Sequence, residues 1–148
     1  MTKDVLITVC GLQIMDEEGA DPVEVITAGE YYYKNGKHYV LYDEVMEGFD
    51  GITKTRVKIG ENGVDIVRRG VSDVHMSFEE KKKNLSTYHT PFGNLMIGIE
   101  ARKLHLDERE DAIDITVDYN LEMNYEHLAE CSLTMKIRPR TAKEFSLG

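Results

Sequence analysis

Three polar residues stand where an alternating pattern otherwise places apolar ones. In the run Lys37 to Met46, Tyr42 and Glu44 share the parity of His38 and Val40. In Val64 to Arg69, Arg68 shares the parity of Val64 and Ile66. If the apolar parity faces inward, a phenol, a carboxylate and a guanidinium go inside with it. A charge taken out of water is costly unless it is paired and hydrogen-bonded. Glu44 and Arg68 are therefore expected to meet, with Tyr42 and Tyr31 as hydrogen-bonding neighbours. Adjacent strands lie about 4.8 Å apart, so two extended side chains can span two strand steps. Such a polar floor would anchor a ligand carboxylate or another anion on Arg68, whose guanidinium offers a matching fork of donors. The plainer alternative is a structural ion pair near a rim. Tyr119, on the apolar parity of a later strand, completes the candidate ligand-binding set of Arg68, Glu44, Tyr42, Tyr31 and Tyr119.

Other chemistries find less support. The five histidines, His38, His75, His89, His105 and His127, form no i, i+2 or i, i+4 pair, so neither a metal nor a cofactor is expected. There is no Gly-x-Ser-x-Gly, no catalytic cysteine signature and no phosphate-cradling glycine loop, and no catalytic residue is assigned. Lys81-Lys82-Lys83 reads as a solvated hairpin tip that keeps neighbouring edges from pairing. Cys10 and Cys131 are too few for a disulfide framework. They sit in the first and last strands and would bridge only if those strands meet; free thiols in a reducing cytoplasm are the expectation.

The elements that must position these groups are strands. Period-two alternation and β-rich composition mark about ten of them. The first covers Lys3 to Met15 and ends at the acidic turn Asp16-Glu17-Glu18-Gly19; the second, Val23 to Lys34, aligns Val25, Thr27, Gly29, Tyr31 and Tyr33. Asn35-Gly36 is the strongest hairpin signal, since both residues tolerate positive φ. After the third strand, Gly48 to Gly51 turns the chain into a fourth with Thr53, Thr55, Val57 and Ile59 on one face. Glu61-Asn62-Gly63 turns into the fifth, and Ser72 to Glu79 is the sixth. Glu79 to Asn84 is a charged tip, and the seventh strand runs into the turn Pro91-Phe92-Gly93. The eighth aligns Leu95, Ile97, Ile99 and Ala101, and Leu104 to Asp111 reads as a loop or a short helical turn. The ninth aligns Ile113, Ile115, Val117, Tyr119, Leu121 and Met123, the tenth Cys131, Leu133, Met135 and Ile137; Glu126-His127-Leu128 reads as loop or a single turn. Each strand has one apolar face, and closing the meander on itself hides that face and removes both exposed edges. The fold expected is all-β: one domain over residues 1–148, an antiparallel up-and-down barrel of eight to ten strands, with a sandwich as the alternative.

The succession Gly29-Glu30-Tyr31-Tyr32, Tyr42-Asp43-Glu44, Arg68-Arg69-Gly70, Met76-Ser77-Phe78, Tyr88 with Phe92-Gly93, then Ile115-Thr116-Val117-Asp118-Tyr119 resembles the YwiB-like family, over nearly the whole chain. These are small bacterial proteins of unassigned function. The resemblance implies a calycin-like (lipocalin-like) barrel, and it supplies neither a reaction nor a ligand.

Acidic residues outnumber basic ones 27 to 18, for a net charge of -9. That field repels phosphates, so nucleic acid and anionic membrane are not expected partners. Val5 to Leu12 lacks the basic flank and cleavage site of a signal peptide, and no run approaches the ~20 apolar residues of a membrane helix. A cytoplasmic location is expected. Three functions follow, in order: a non-catalytic barrel holding a small apolar or amphipathic ligand, anionic at one end; a filled barrel acting through its surface as an interaction or regulatory module; and a small enzyme using Glu44, Arg68 and a tyrosine as acid–base groups. Small inward residues (Thr27, Gly29, Thr53, Thr55 and Ala101) would leave room for a ligand, and the outward Tyr32 is a candidate contact for a homodimer.

Overall fold

The computed structural model describes residues 1–11, 24–45 and 51–140. They form ten strands: β1 (Asp4–Cys10), β2 (Glu24–Lys34), β3 (Lys37–Val45), β4 (Ile52–Ile59), β5 (Gly63–Arg69), β6 (Val74–Glu79), β7 (Lys83–Thr90), β8 (Gly93–Arg109), β9 (Ala112–Met123) and β10 (Glu126–Pro139). All ladders are antiparallel. The order β6-β5-β4-β3-β2-β1-β10-β9-β8-β7 is a meander in which β1 pairs with both β2 and β10. That order brings the sequence neighbours β6 and β7 to the two ends of the sheet, where they close it incompletely. At one end of this seam Asp73 and His89 exchange backbone hydrogen bonds of 2.9 and 2.8 Å; at the other the Lys81 amide donates to the Ala101 carbonyl at 2.8 Å. Between them the Asn84 side-chain amide donates to the Ser77 carbonyl at 3.2 Å. The result is a nearly closed barrel. Its upper end carries the close of β3, β5 and β7, and its lower end the 35–36, 60–62, 80–82 and 110–111 turns.

The alternation in sequence becomes the wall. Thr53, Thr55, Val57 and Ile59 of β4 are buried while Ile52, Lys54 and Arg56 are exposed. Ile113, Ile115, Val117, Tyr119 and Leu121 of β9, with Leu133, Met135 and Ile137 of β10, lie in one core with Ile7, Ile66, Met76 and Phe78. Two glycines act by close approach. A Cβ at Gly29 would meet Ile7 Cδ1 at 2.5 Å and the Leu41 carbonyl at 2.6 Å. A Cβ at Gly63 would meet the Phe78 carbonyl at 2.7 Å. The turn at Asn35-Gly36 has the expected positive φ at both residues, 55° and 76°.

Several boundaries differ from the sequence reading. Leu104 to Asp111 is not a loop: β8 continues for 17 residues to Arg109, past a bulge between Ala101 and Lys103. The bulge shifts the alternation by one residue, so Leu104 and Leu106 take over the inward parity from Ala101 and hide the strand from a strict period-two pattern. Glu126-His127-Leu128 likewise opens β10, with a register shift between His127 and Ala129. On β2, Thr27, Gly29 and Tyr31 are half-buried while Val25 and Tyr33 are exposed. Lys83 and Asn84 belong to β7 rather than to the charged tip, and β6 begins at Val74 rather than Ser72. The expected extension of the first strand to Met15, the acidic turn at 16–19, and most of the turn at 48–51 lie outside the described residues. The first and last strands do meet, but Cys10 pairs with Thr134, three residues from Cys131, so the ladder does not set the two cysteines opposite each other.

Because Leu133 is fully buried with its neighbours in the core, Leu133→Ala is expected to destabilise the protein by about 2–4 kcal/mol through lost burial and an unfilled cavity. Chemical denaturation checks this; an unchanged midpoint would show that the face is not the core.

Candidate functional site

Near the upper end, three neighbouring strands set out a small grid of inward polar groups. Register pairs Tyr42 with Thr55 and Glu44 with Thr53 across β3 and β4, and Thr55 with Arg68 across β4 and β5. Arg68 reaches over Thr55 to Glu44: its Nη2 lies 3.2 Å from Oε2 and 3.3 Å from Oε1. The Thr55 hydroxyl donates to Glu44 Oε1 at 3.0 Å. The two charged side chains retain 18% and 24% of their exposure, so water still screens the pair in part. Its Coulomb term is correspondingly smaller than in a dry interior, and its geometry matters more than its charge.

Two buried hydroxyls complete this grid. Thr53 Oγ1 has no hydrogen-bond partner among the described residues, and Tyr42 Oη has none of regular geometry but interacts with the Glu44 carboxylate beside it. Burial pushes the Tyr42 phenol pKa well above its ordinary value; the adjacent Glu44 charge pushes it the same way, and Arg68 opposes. Tyr42 is thus held protonated, as a donor. Arg68, Thr55, Thr53 and Tyr42 all offer protons, and Glu44 alone among these side chains is an acceptor by charge.

The other two tyrosines do not join this group. Tyr31 turns to the lower end, where its hydroxyl lies 2.6 Å from His38 Nδ1. Tyr119 is buried in the core with its ring edge-on to Phe78, centroids 5.0 Å apart. The strand register separates them, since Tyr31 sits opposite Val40 and Tyr119 opposite Cys131 and Ala101. Sequence parity found Glu44, Arg68 and Tyr42. It treated Thr53 and Thr55 only as small residues that leave space, although their inward parity beside two charges was a sign that their hydroxyls would be used. The outward Tyr32 donates to Glu30 at 2.6 Å, with Lys3 over its ring.

One further cluster contains a serine, a histidine and an aspartate. Asp65 Oδ1 accepts from Ser77 at 2.7 Å and contacts His75 Nε2 at 3.2 Å. The carboxylate stands between the other two, so no imidazole is placed to take a proton from the serine, and the order needed for nucleophilic activation is missing. Among the described residues no group of three His, Cys, Asp or Glu side chains is arranged to hold a metal. No helix among them is long and apolar enough to cross a membrane.

Architecture and site together define a ten-stranded antiparallel barrel with a filled middle and polar ends. The chain belongs to the family described as a domain of unknown function (DUF1934), whose model matches residues 7–135. It is 28% identical over 137 residues to the uncharacterized beta-barrel protein YwiB of Bacillus subtilis (strain 168), covering 90% of this chain and 95% of that one. The crystal structure of the Bacillus subtilis ywiB protein superposes with a TM-score of 0.74 at 24% identity, over 93% of this chain and 91% of that one, and shows the fold. The YwiB-like resemblance read from the sequence is thereby established, and the family has no assigned function.

Arg68→Met removes the only cation contacting Glu44 in this grid. The variant is expected to lose about 1–3 kcal/mol at neutral pH, less than the 3–5 of a fully buried pair because water reaches both groups. Adding Glu44→Gln should recover part of that loss, and additive losses in the double-mutant cycle would show that the two residues act independently. For Tyr42 the expectation concerns pH. A phenol pKa raised in the folded state contributes stability that is complete below about pH 10 and lost as pH climbs beyond it. Tyr42 should ionise above the ordinary phenol range, as the fold gives way. In Tyr42→Phe that late step in phenolate absorbance should be absent.

Proposed function

We propose that the protein is a cytoplasmic binding module whose upper polar end receives the oxygen-bearing, anionic head of a small molecule. The observation that carries this reading is the buried Thr53 hydroxyl, left without an acceptor among the described residues, next to a buried Tyr42 hydroxyl whose neighbouring acceptor, the Glu44 carboxylate, is already held by Arg68 and Thr55. A buried donor without a partner costs about 1–3 kcal/mol. A ligand oxygen bound by Tyr42, Thr53 and the Arg68 fork would satisfy them together. Retaining groups that lower stability is the usual mark of a site kept for binding. The middle of the barrel supports a compact ligand rather than a long apolar chain. Ile7 occupies the space beside Gly29, and Phe78, Ile66, Met76, Ile97 and Leu133 fill the rest. A cleft of about 600 Å³ over β2–β4 is lined by residues of outward parity, Glu30, Asp43 and Lys54 among them, and also by Tyr42 and Thr55 of the polar grid.

A second reading, surface action on a partner protein, is favoured by the turns at the same end. Phe92 is 88% exposed at the β7–β8 tip, and Tyr125 is 71% exposed at the β9–β10 tip with φ of 69°.

Thermal shifts with acetate, hexanoate and inorganic phosphate test the first reading. A ligand at a hundred times its Kd stabilises by about 2.7 kcal/mol. At least one of these anions should raise the melting temperature of the parent and leave Arg68→Met unmoved. Tyr42→Phe should melt at or above the parent and respond less to the anion. Equal responses of parent and Arg68→Met would overturn the assignment.

A further inference from the structure

The barrel wall is incomplete in one further place. β2 pairs with β1 from Glu24–Cys10 to Glu30–Asp4, but its ladder with β3 stops at Glu30–Leu41. Beyond that pair β2 reaches to Glu24 and β3 to Val45, and among the described residues no strand pairs with either edge. Alternate residues of a strand turn their backbone groups to opposite sides. The Tyr31 amide donates to the Lys3 carbonyl at 2.7 Å, so the odd-numbered residues of β2 face β1. The amides and carbonyls of Ile26 and Ala28 therefore face the opening.

Side-chain exposure marks the same opening. Val25 shares the inward parity of Thr27 and Gly29 yet keeps 45% of its exposure, whereas Val9, its register partner on β1, keeps 6%. Ile26, on the outer side, keeps 64%. The cleft of about 600 Å³ runs along the gap, touching Thr27, Ala28 and Gly29 of β2 and Leu41, Tyr42 and Asp43 of β3. Sheet edges are ordinarily blunted by lysine, proline or a bulge. From Val25 to Gly29, β2 reads Val-Ile-Thr-Ala-Gly in unbroken register with β1 and has none of these. The seam between β6 and β7, by contrast, is bridged by the Asn84 side chain.

We infer that this edge of β2 receives an extended segment of a partner protein as an added strand. Main-chain bonds to Ile26 and Ala28 supply the affinity, and the side chains beside the opening supply the selectivity. Val25 and Thr27, on the inner side, suit apolar, β-branched residues at every second position of the incoming strand. On the outer side Glu24 and Glu30 of β2 and Asp43 of β3 are exposed, and neither bordering stretch, 24–30 or 41–45, carries a basic residue. Lys54 stands opposite Asp43 on β4, and Arg140 lies by Asp4 at the Glu30 end. The acids of the two bordering strands favour lysine or arginine at the intervening positions. The pairing uses main-chain groups of β2 and not the Arg68 fork, so it and the proposed anion site can fail separately.

Fluorescence anisotropy with a labelled hexapeptide of alternating lysine and valine tests it. The protein should bind this peptide about tenfold more tightly than a block peptide of three lysines followed by three valines, which has the same charge but no strand alternation. Two N-methylated forms of the alternating peptide, one for each alternate set of amides, separate the two sides of the incoming strand. One should bind as the unmethylated peptide does and the other about tenfold more weakly, because only one set of amides faces β2. Ile26→Pro removes an amide that faces the opening and leaves the β1 ladder intact, so it should weaken binding by about tenfold as well. Should Ile26→Pro fail to fold, the N-methylated pair on the parent protein still decides. Absence of binding, equal binding of the alternating and block peptides, or equal effects of the two methylations would overturn the inference. Sedimentation supplies the remaining outcome: a dimer of the parent that Ile26→Pro dissociates would give the edge to a second copy of this chain and overturn it likewise.

Discussion

The pairing of β1 with β10 is the contact on which the rest of this structure depends. Ten amphipathic strands in a row have one apolar face to hide and two edges to protect. Six register pairs between Val5–Cys10 and Thr134–Pro139 turn the row into a ring and meet both needs at once. The remaining seam falls between β6 and β7, which a short turn already holds together. There the closure rests on backbone bonds at either end and on the Asn84 side chain between them. Every inward residue acquires neighbours from across the ring as a result of that one join.

A ring of this size with Phe, Ile, Leu and Met on its inner face leaves little room at mid-height. Polar chemistry is therefore displaced to the ends. At the upper end Arg68 and Glu44 pair while, among the described residues, the Thr53 hydroxyl is left unsatisfied and the Tyr42 hydroxyl shares the Glu44 carboxylate, so the cluster is richer in donors than in acceptors. At the lower end Tyr31, His38 and Glu108 are consistently matched, each donor facing an acceptor. One cluster keeps a buried hydroxyl without an acceptor, at Thr53, whereas the other is complete in itself. The two ends thus differ in kind.

The lower cluster exists because β8 is long. Its bulge after Ala101 keeps the strand running to Arg109 and carries Glu108 to His38, on a strand that is not a ladder neighbour. Without the bulge the alternation would place Leu104 and Leu106 outward, and the strand would have no reason to continue over the lower end. A local irregularity thereby supplies the contact between distant walls.

Strand identity, the parity of Tyr42, Glu44 and Arg68, and the tight turn at Asn35-Gly36 were legible in the sequence, because each follows from period-two alternation or from local backbone freedom. The core residues of β9 and β10 were legible for the same reason. What only the tertiary structure decided is whatever depends on register. A one-residue bulge hid the second half of β8, and with it Glu108, since a pattern that changes phase reads as no pattern. Tyr31 and Tyr119 had the right parity but the wrong height, and parity carries no information about height along a barrel. Cys10 and Cys131 lie on adjoining strands and stay apart because the ladder offsets them by three residues. The sequence specifies which way each side chain points; the register, set by ring closure, selects the partners it meets.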